Sequence, residues 1–208
     1  MFTPVEGFDG VLHLSPTVHP DERGTFHEWF KASAFEEATG HPFDLQQANM
    51  SVSKAGVLRG LHYAEVPPGQ AKFVTCPAGA IFDVVVDVRE GSDSFGRWTS
   101  FELTQDNHHG VYIPAGYAHG FVAVRDSCVV YLTTSEYEPA AEHSLNPFDE
   151  QINVAWPNMD YILSQKDQQA PSVAQLGEEG LLPHMEECQA QLTDLRDSWA
   201  VANEEAGL

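Results

Sequence analysis

From Val11 to about Thr134 the chain is a succession of short β-branched and aromatic runs broken by Gly, Pro, Asn and Asp, and this pattern rules out most folds at once. Phe73-Val74-Thr75-Cys76, Ile81-Phe82-Asp83-Val84-Val85-Val86-Asp87-Val88, Gly110-Val111-Tyr112-Ile113 and Cys128-Val129-Val130-Tyr131-Leu132 are examples. Branching at Cβ fits a pleated, half-buried surface, and the intervening turn residues send the chain back after each pass. A doubly wound sheet would need long helices between the strands, and the sequence has none there. The expectation is therefore mainly β, an antiparallel sandwich or barrel. Helical signal is local. Ser33 to Ala38 reads as a short helix, with Ser33 as N-cap and Gly40 closing it. Met185, Cys188, Leu192, Leu195 and Trp199 recur at three and four residues, which predicts a C-terminal helix docked on the barrel or on a partner subunit.

A length of 208 residues suits one domain with an appended helix. The formal charge is −21, from 31 acidic residues against ten lysines and arginines, which opposes binding to nucleic acid or anionic lipid. Against that background the cations are informative by position. Arg23, Arg59, Lys72 and Lys166 all fall in motif-like segments, which points to an anion-binding pocket. Cys76, Cys128 and Cys188 are odd in number and far apart, as expected of free thiols in a reducing compartment. No run approaches the roughly 20 apolar residues of a membrane span, and the N-terminus lacks a basic stretch followed by an apolar one. A soluble, cytoplasmic protein is expected.

Arg59-Gly60-Leu61-His62 ends an apolar run with a cation and an imidazole, and Gln70-Ala71-Lys72 follows ten residues on. Neighbouring cations favour an uncharged imidazole, so His62 reads as a candidate base; the alternative is a strand histidine satisfied by a backbone carbonyl. Asp167, in Leu163-Ser164-Gln165-Lys166-Asp167, is the candidate to orient it, or else an exposed carboxylate or helix cap. Lys72 either points inward, where a buried ammonium needs an anionic partner, or snorkels to the surface. Tyr131 and Tyr137 share one face if their strand continues between them, and either serve the site or pack in the core. Arg23, Thr25 and His27 alternate with Phe26 and Glu28, and Gln47, Asn49 and Ser51 alternate likewise, with amides suited to sugar hydroxyls or a base edge. Either run could be an ordinary solvated strand face. Gly110-x-x-x-Pro114-x-Gly116-x-x-His119 looks like half of a cupin signature, but His62 is followed by Tyr63 and Ala64 rather than a second imidazole. With that ligand missing, no barrel metal is expected.

Asp21–Phe30, Gln46–Tyr63, Pro67–Gly79, Phe82–Trp98, Tyr112–Phe121, Tyr131–Pro139 and Ile162–Pro171, taken in order, resemble the dTDP-4-dehydrorhamnose 3,5-epimerase family. The resemblance implies a cupin-type jelly roll in residues 1–176, with residues 177–208 as a packed helical extension. It implies a homodimer that exchanges or shares a strand near the N-terminal region, and no cofactor or metal. Carried over by position, His62 is the base, Asp167 its carboxylate partner, Tyr131 the acid on the opposite face, and Lys72 the stabiliser of an enolate. Tyr137 lines the same pocket, while Arg23, Phe26, Glu28, Gln47, Asn49, Arg59, His119, Glu142 and Lys166 contact sugar, diphosphate or thymidine. The chemistry suits these groups: a 4-keto group acidifies the hydrogens at C3 and C5, a base removes one, a cation holds the enolate oxygen, and a phenol returns a proton to the other face. The competing expectations are epimerisation of one centre only, a catalytically silent sugar-nucleotide-binding cupin, and a metal-dependent cupin dioxygenase.

Overall fold

The computed structural model describes residues 1–207. Nine strands form one antiparallel sheet that folds over on itself as a jelly roll: β1 (Phe2–Pro4), β2 (Leu12–Leu14), β5 (Gln47–Ser53), β6 (Leu58–Ala64), β7 (Lys72–Asp87), β8 (Trp98–Thr104), β9 (Gly110–Ile113), β10 (Tyr117–Thr133) and β11 (Glu142–Ser144). The main path runs β1-β2-β9-β7-β10-β6-β11, with β5 also on β10 and β8 also on β7. Two strands carry the architecture. β7 pairs with β9 through Lys72–Thr75 and with β8 through Ala80–Val86, while β10 pairs with β6 near His119 and with β5 beyond Ser127. Each long strand thus serves two layers, and the register between them shifts at Ala123–Val130, where they bend.

Period-two alternation decides what each layer buries. Along β7, Ile81 and Val85 enter a core with Val74, Leu103, Val111, Phe121 and Val129, whereas Val84 and Val86 join Leu61, Tyr63 and Leu145 in a second one. A third cluster is aromatic: Phe35 is fully buried and meets Tyr112 edge-on at 4.8 Å, with Phe2, Phe30, Phe43 and Phe73 around it. That cluster also sets the helix start. Helix α1 (Ala32–Thr39) begins after Lys31, whose side chain makes no cap, so the N-cap expected at Ser33 is corrected: Phe30 is anchored in the aromatic cluster and the chain turns helical directly after it. Gly40 closes the helix in the left-handed conformation, φ 79°, as expected.

The two remaining strands, β3 (His19–Asp21) and β4 (Gly24–Phe26), pair only with each other and stand exposed. After β11 come helices α2 (Gln165–Gln168), α3 (Val173–Glu178) and α4 (Met185–Ala206). α3 runs across the boundary expected at 176/177, and Leu181 and Leu182 pack with Val173 and Leu176 in the second core. Of the α4 stripe, Cys188 is buried and Leu195 is exposed. The helix is tied down by Arg196 Nε donating to the Thr39 carbonyl at 2.8 Å and by Gln191 donating to the Pro68 carbonyl. No helix among the described residues is long and apolar enough to cross a membrane.

Candidate active site

A cavity of about 510 Å³ opens between the layers, walled by β5, β6, β7, β10, β11 and α2. Its floor follows from the strand register. On β6, Leu61 and Tyr63 are committed to the second core, so His62 faces the other way, into the cavity. It lies directly opposite His119 of β10. Asp167 reaches His62 from 105 residues away because Ile162 forms a parallel bridge with Val57, with Leu58 N–H donating to the Ile162 carbonyl at 3.0 Å and Ile162 N–H to Gly56 at 2.8 Å. This lays the segment before α2 along the start of β6. Ser164 then caps α2: its Oγ accepts from the Asp167 N–H at 3.1 Å and donates to Asp167 Oδ2 at 2.8 Å.

His62 Nε2 is 2.7 Å from Asp167 Oδ1. Burial pushes the Asp167 carboxyl up, but hydrogen bonds from His62, Ser164 and the Gly60 backbone outweigh it and hold the group below the ordinary carboxylate range. An ionised carboxylate only accepts, so Nε2 carries the proton and Nδ1 is left with the lone pair. That is the arrangement of a general base and its orienting carboxylate. Lys72 also lines the cavity, and although it keeps a partial opening to it, enclosure of its ammonium lowers its pKa against the opposing charges of Glu142 and Asp83. Burial raises Tyr131, helped by Glu142 and opposed by Arg59, so its phenol holds its proton at neutral pH.

Gln47, Asn49, Arg59, His119, Tyr137, Glu142 and Lys166 line the same cavity. Gln47 Nε2 donates to Asn49 Oδ1 at 2.6 Å, and its Oε1 accepts from the Tyr137 N–H at 3.0 Å. Tyr137 comes in from a loop, because β10 ends at Thr133, so the continuous strand that would carry both tyrosines is corrected. Arg23, Phe26 and Glu28 are not in this chain's cavity. They sit on or next to the exposed β3–β4 hairpin, where Arg23 pairs with Asp21 and Phe26 is 67 % exposed. Two residues of the site escaped sequence reasoning. Ser164 was announced by its position three before Asp167, a capping-box spacing. Asp83 was announced by being an acid inside an apolar strand, which requires a buried partner; its Oδ2 is 2.7 Å from His119 Nε2. No group of three or more His, Cys, Asp or Glu among the described residues is placed to hold a metal ion.

The sequence pattern of the family described as dTDP-4-dehydrorhamnose 3,5-epimerase matches residues 6–175. A dTDP-4-dehydrorhamnose 3,5-epimerase of Mycobacterium tuberculosis is 46 % identical over 191 residues, covering 90 % of this chain and 95 % of that protein. The solved structure of an rmlC epimerase from Mycobacterium tuberculosis superposes with a TM-score of 0.91 at 44 % identity, covering 94 % of this chain and all of the other. ChmJ, a 3'-monoepimerase from Streptomyces bikiniensis solved in complex with dTDP-quinovose, superposes with a TM-score of 0.89 at 43 % identity, over 91 % of this chain and 97 % of the other. The shared fold is the cupin-type β fold, and the chain belongs to the dTDP-4-dehydrorhamnose 3,5-epimerase family.

Proposed function

We propose that the protein inverts C3 and C5 of dTDP-4-dehydro-6-deoxy-D-glucose, yielding dTDP-4-dehydro-L-rhamnose for dTDP-L-rhamnose biosynthesis. The observation that carries this reading is the His62–Asp167 pair at 2.7 Å in one cavity with a half-buried lysine and a protonated phenol. His62 Nδ1 removes the proton from the carbon beside the ketone, and the electron pair moves onto the C4 oxygen. Lys72 stabilises that enolate oxygen electrostatically. As the enolate collapses, Tyr131 delivers a proton to the opposite face; His62 gives up its proton and Tyr131 recovers one by exchange with water. Repeating the cycle at the second carbon completes the double inversion. Gln47, Asn49, Arg59, His119, Tyr137, Glu142 and Lys166 bind the sugar, diphosphate and thymidine. Every step uses side chains alone, without metal or cofactor.

The active assembly in this reading is a homodimer. β5 turns Gln47, Asn49 and Ser51 toward the cavity and leaves Met50 and Val52, 71 % and 76 % exposed, on its outer face, the reverse of a solvated strand. The separate β3–β4 hairpin and the residues that follow it carry Arg23, Phe26 and Glu28 to the second protomer's pocket. Residues 177–208 serve packing, and the enzyme works in the cytoplasm, where its three free thiols persist. The test is incubation with dTDP-4-dehydro-6-deoxy-D-glucose, a 4-keto reductase and NADPH in heavy water. The expected product is dTDP-L-rhamnose labelled at both C3 and C5. A second reading, inversion of C3 alone, is favoured by the likeness to a 3'-monoepimerase and predicts label chiefly at C3.

A further inference from the structure

Asp83 and Asp87 lie four residues apart on the same face of β7, both fully buried, and their surroundings differ sharply. Asp87 is saturated: Arg89 donates to both its oxygens, at 2.9 and 2.8 Å, and Ser92 and Ser94 donate to Oδ2 at 2.6 Å each. Asp83 has one partner, His119, and its Oδ1 has none. A buried carboxylate with an orphaned oxygen is unfavourable for folding, and only its hydrogen bond to His119 and the nearby charge of Lys72 offset that burial. Asp83 therefore has no structural account of the kind Asp87 has. What it does have is a place beside the chemistry. His119 is the cross-strand neighbour of His62, and the two imidazoles are each held at Nε2 by an aspartate at 2.7 Å.

From this geometry we infer that Asp83 is a positioning residue for the reaction: it fixes His119 with the proton on Nε2, so that the ring offers Nδ1 as an acceptor to a sugar hydroxyl and aligns the ring carbons with His62. The inference rests on the epimerase reading for its activity readout and on ring chemistry alone for a second one. His119 is 11 % exposed, so the orientation set by Asp83 is not easily exchanged through water. The surrounding charges are those of Lys72 and Glu142; burial pushes Asp83 up, and His119 and Lys72 oppose that push.

The test is Asp83→Leu, which keeps the volume and removes the acceptor, beside Asp83→Asn, which keeps the shape and can still accept. Asp83→Leu strips the His119 N–H of its acceptor and is expected to melt below wild type, while kcat of the folded enzyme falls about 100-fold with KM within about threefold. Asp83→Asn should recover part of that loss. In wild type, proton–nitrogen NMR of the histidine rings should show His119 held as the Nε2–H tautomer, and in Asp83→Leu as a mixture. A purely structural Asp83 would lower the melting temperature of Asp83→Leu equally but leave kcat preserved in the folded fraction. The inference is overturned if kcat of a folded Asp83→Leu stays within threefold of wild type, or if the His119 ring spectrum does not change. Should Asp83→Leu fail to fold, wild-type kcat and an unchanged ring spectrum in Asp83→Asn overturn it equally. Failure of the epimerase reading looks different: wild type incorporates no deuterium into the ketosugar while the His119 tautomer still depends on position 83.

Discussion

The substitution Asp167→Asn changes one oxygen to an amide nitrogen and should nearly silence the enzyme. The side chain's surroundings dictate which way the amide turns. Ser164 Oγ donates to Oδ2 while accepting the Asp167 N–H, so its hydroxyl hydrogen is committed to position 167. The introduced amide must place its carbonyl oxygen there, which turns its NH2 group toward His62 Nε2, now 2.7 Å from a carboxylate oxygen. Nε2 becomes an acceptor, the ring proton moves to Nδ1, and the base is blocked. A wrong-tautomer change of this kind costs about 1,000- to 10,000-fold in kcat, or ~4–5.5 kcal/mol at the transition state. The His62 side chain is 31 % exposed, so water can help the ring exchange its proton, which favours the lower end of the range. The assay is deuterium wash-in at C3 and C5 followed by proton NMR, with calorimetric binding of dTDP as the control that the pocket survives. Turnover within tenfold of wild type, with binding intact, would refute the assignment of Asp167 as the group that sets the tautomer.

Met50→Asp with Val52→Asp should convert the dimer to monomers in sedimentation velocity and lower activity at least about tenfold without unfolding the chain; an active, dimeric double variant would contradict the interface. Phe35→Ala removes the centre of the aromatic cluster and should cost about 3–5 kcal/mol, a fall in Tm of roughly 6–20 °C by calorimetry; a smaller shift would mean the cluster repacks. His13, His27 and His109 are each held below the ordinary histidine range, first by burial and then by neighbouring charges, chiefly other imidazoles. The unfolded chain therefore binds more protons than the native one as pH falls below about 6.5, so their contribution is complete above that pH and is lost on acidification. His27→Gln should accordingly show a shallower fall in Tm between pH 7.5 and 5.5 than wild type, and an identical slope would remove His27 from that balance.

The fold was legible where side-chain chemistry repeats locally. The β-branched runs mark the strands, and the alternation of Gln47, Asn49 and Ser51 marks a face that does line the cavity. The joins were not legible. Phe73–Cys76 and Ile81–Val88 read as separate strands, yet their main parts belong to the single strand β7, because Pro77 and Gly79 mark a bend rather than a turn. Likewise the Cys128–Leu132 run is only the second half of β10, which begins at Tyr117. In the site, residue types could be picked out one at a time, but the meeting of His62 with Asp167 depends on a parallel bridge at Val57 and Ile162 that no spacing announces. Asp83 stands out in the sequence as an acid in an apolar run, but so does Asp87, and what separates them is how few partners Asp83 has, a property that exists only once the strands are packed.

Where β6 crosses β10, two glycines touch. A methyl group on Gly60 would lie 2.6 Å from Gly120 Cα and 2.7 Å from the His119 carbonyl oxygen, and one on Gly120 would lie 2.7 Å from the Arg59 carbonyl oxygen. Only bare backbone fits on either side, so the two strands can seat in a single alignment, like a key cut for one notch. Sliding β6 by one residue would turn His62 away from the ligand and out of line with His119, which β7 holds in place. The contact that makes the strands hardest to misalign thus lies one and two residues from the groups whose aim matters most.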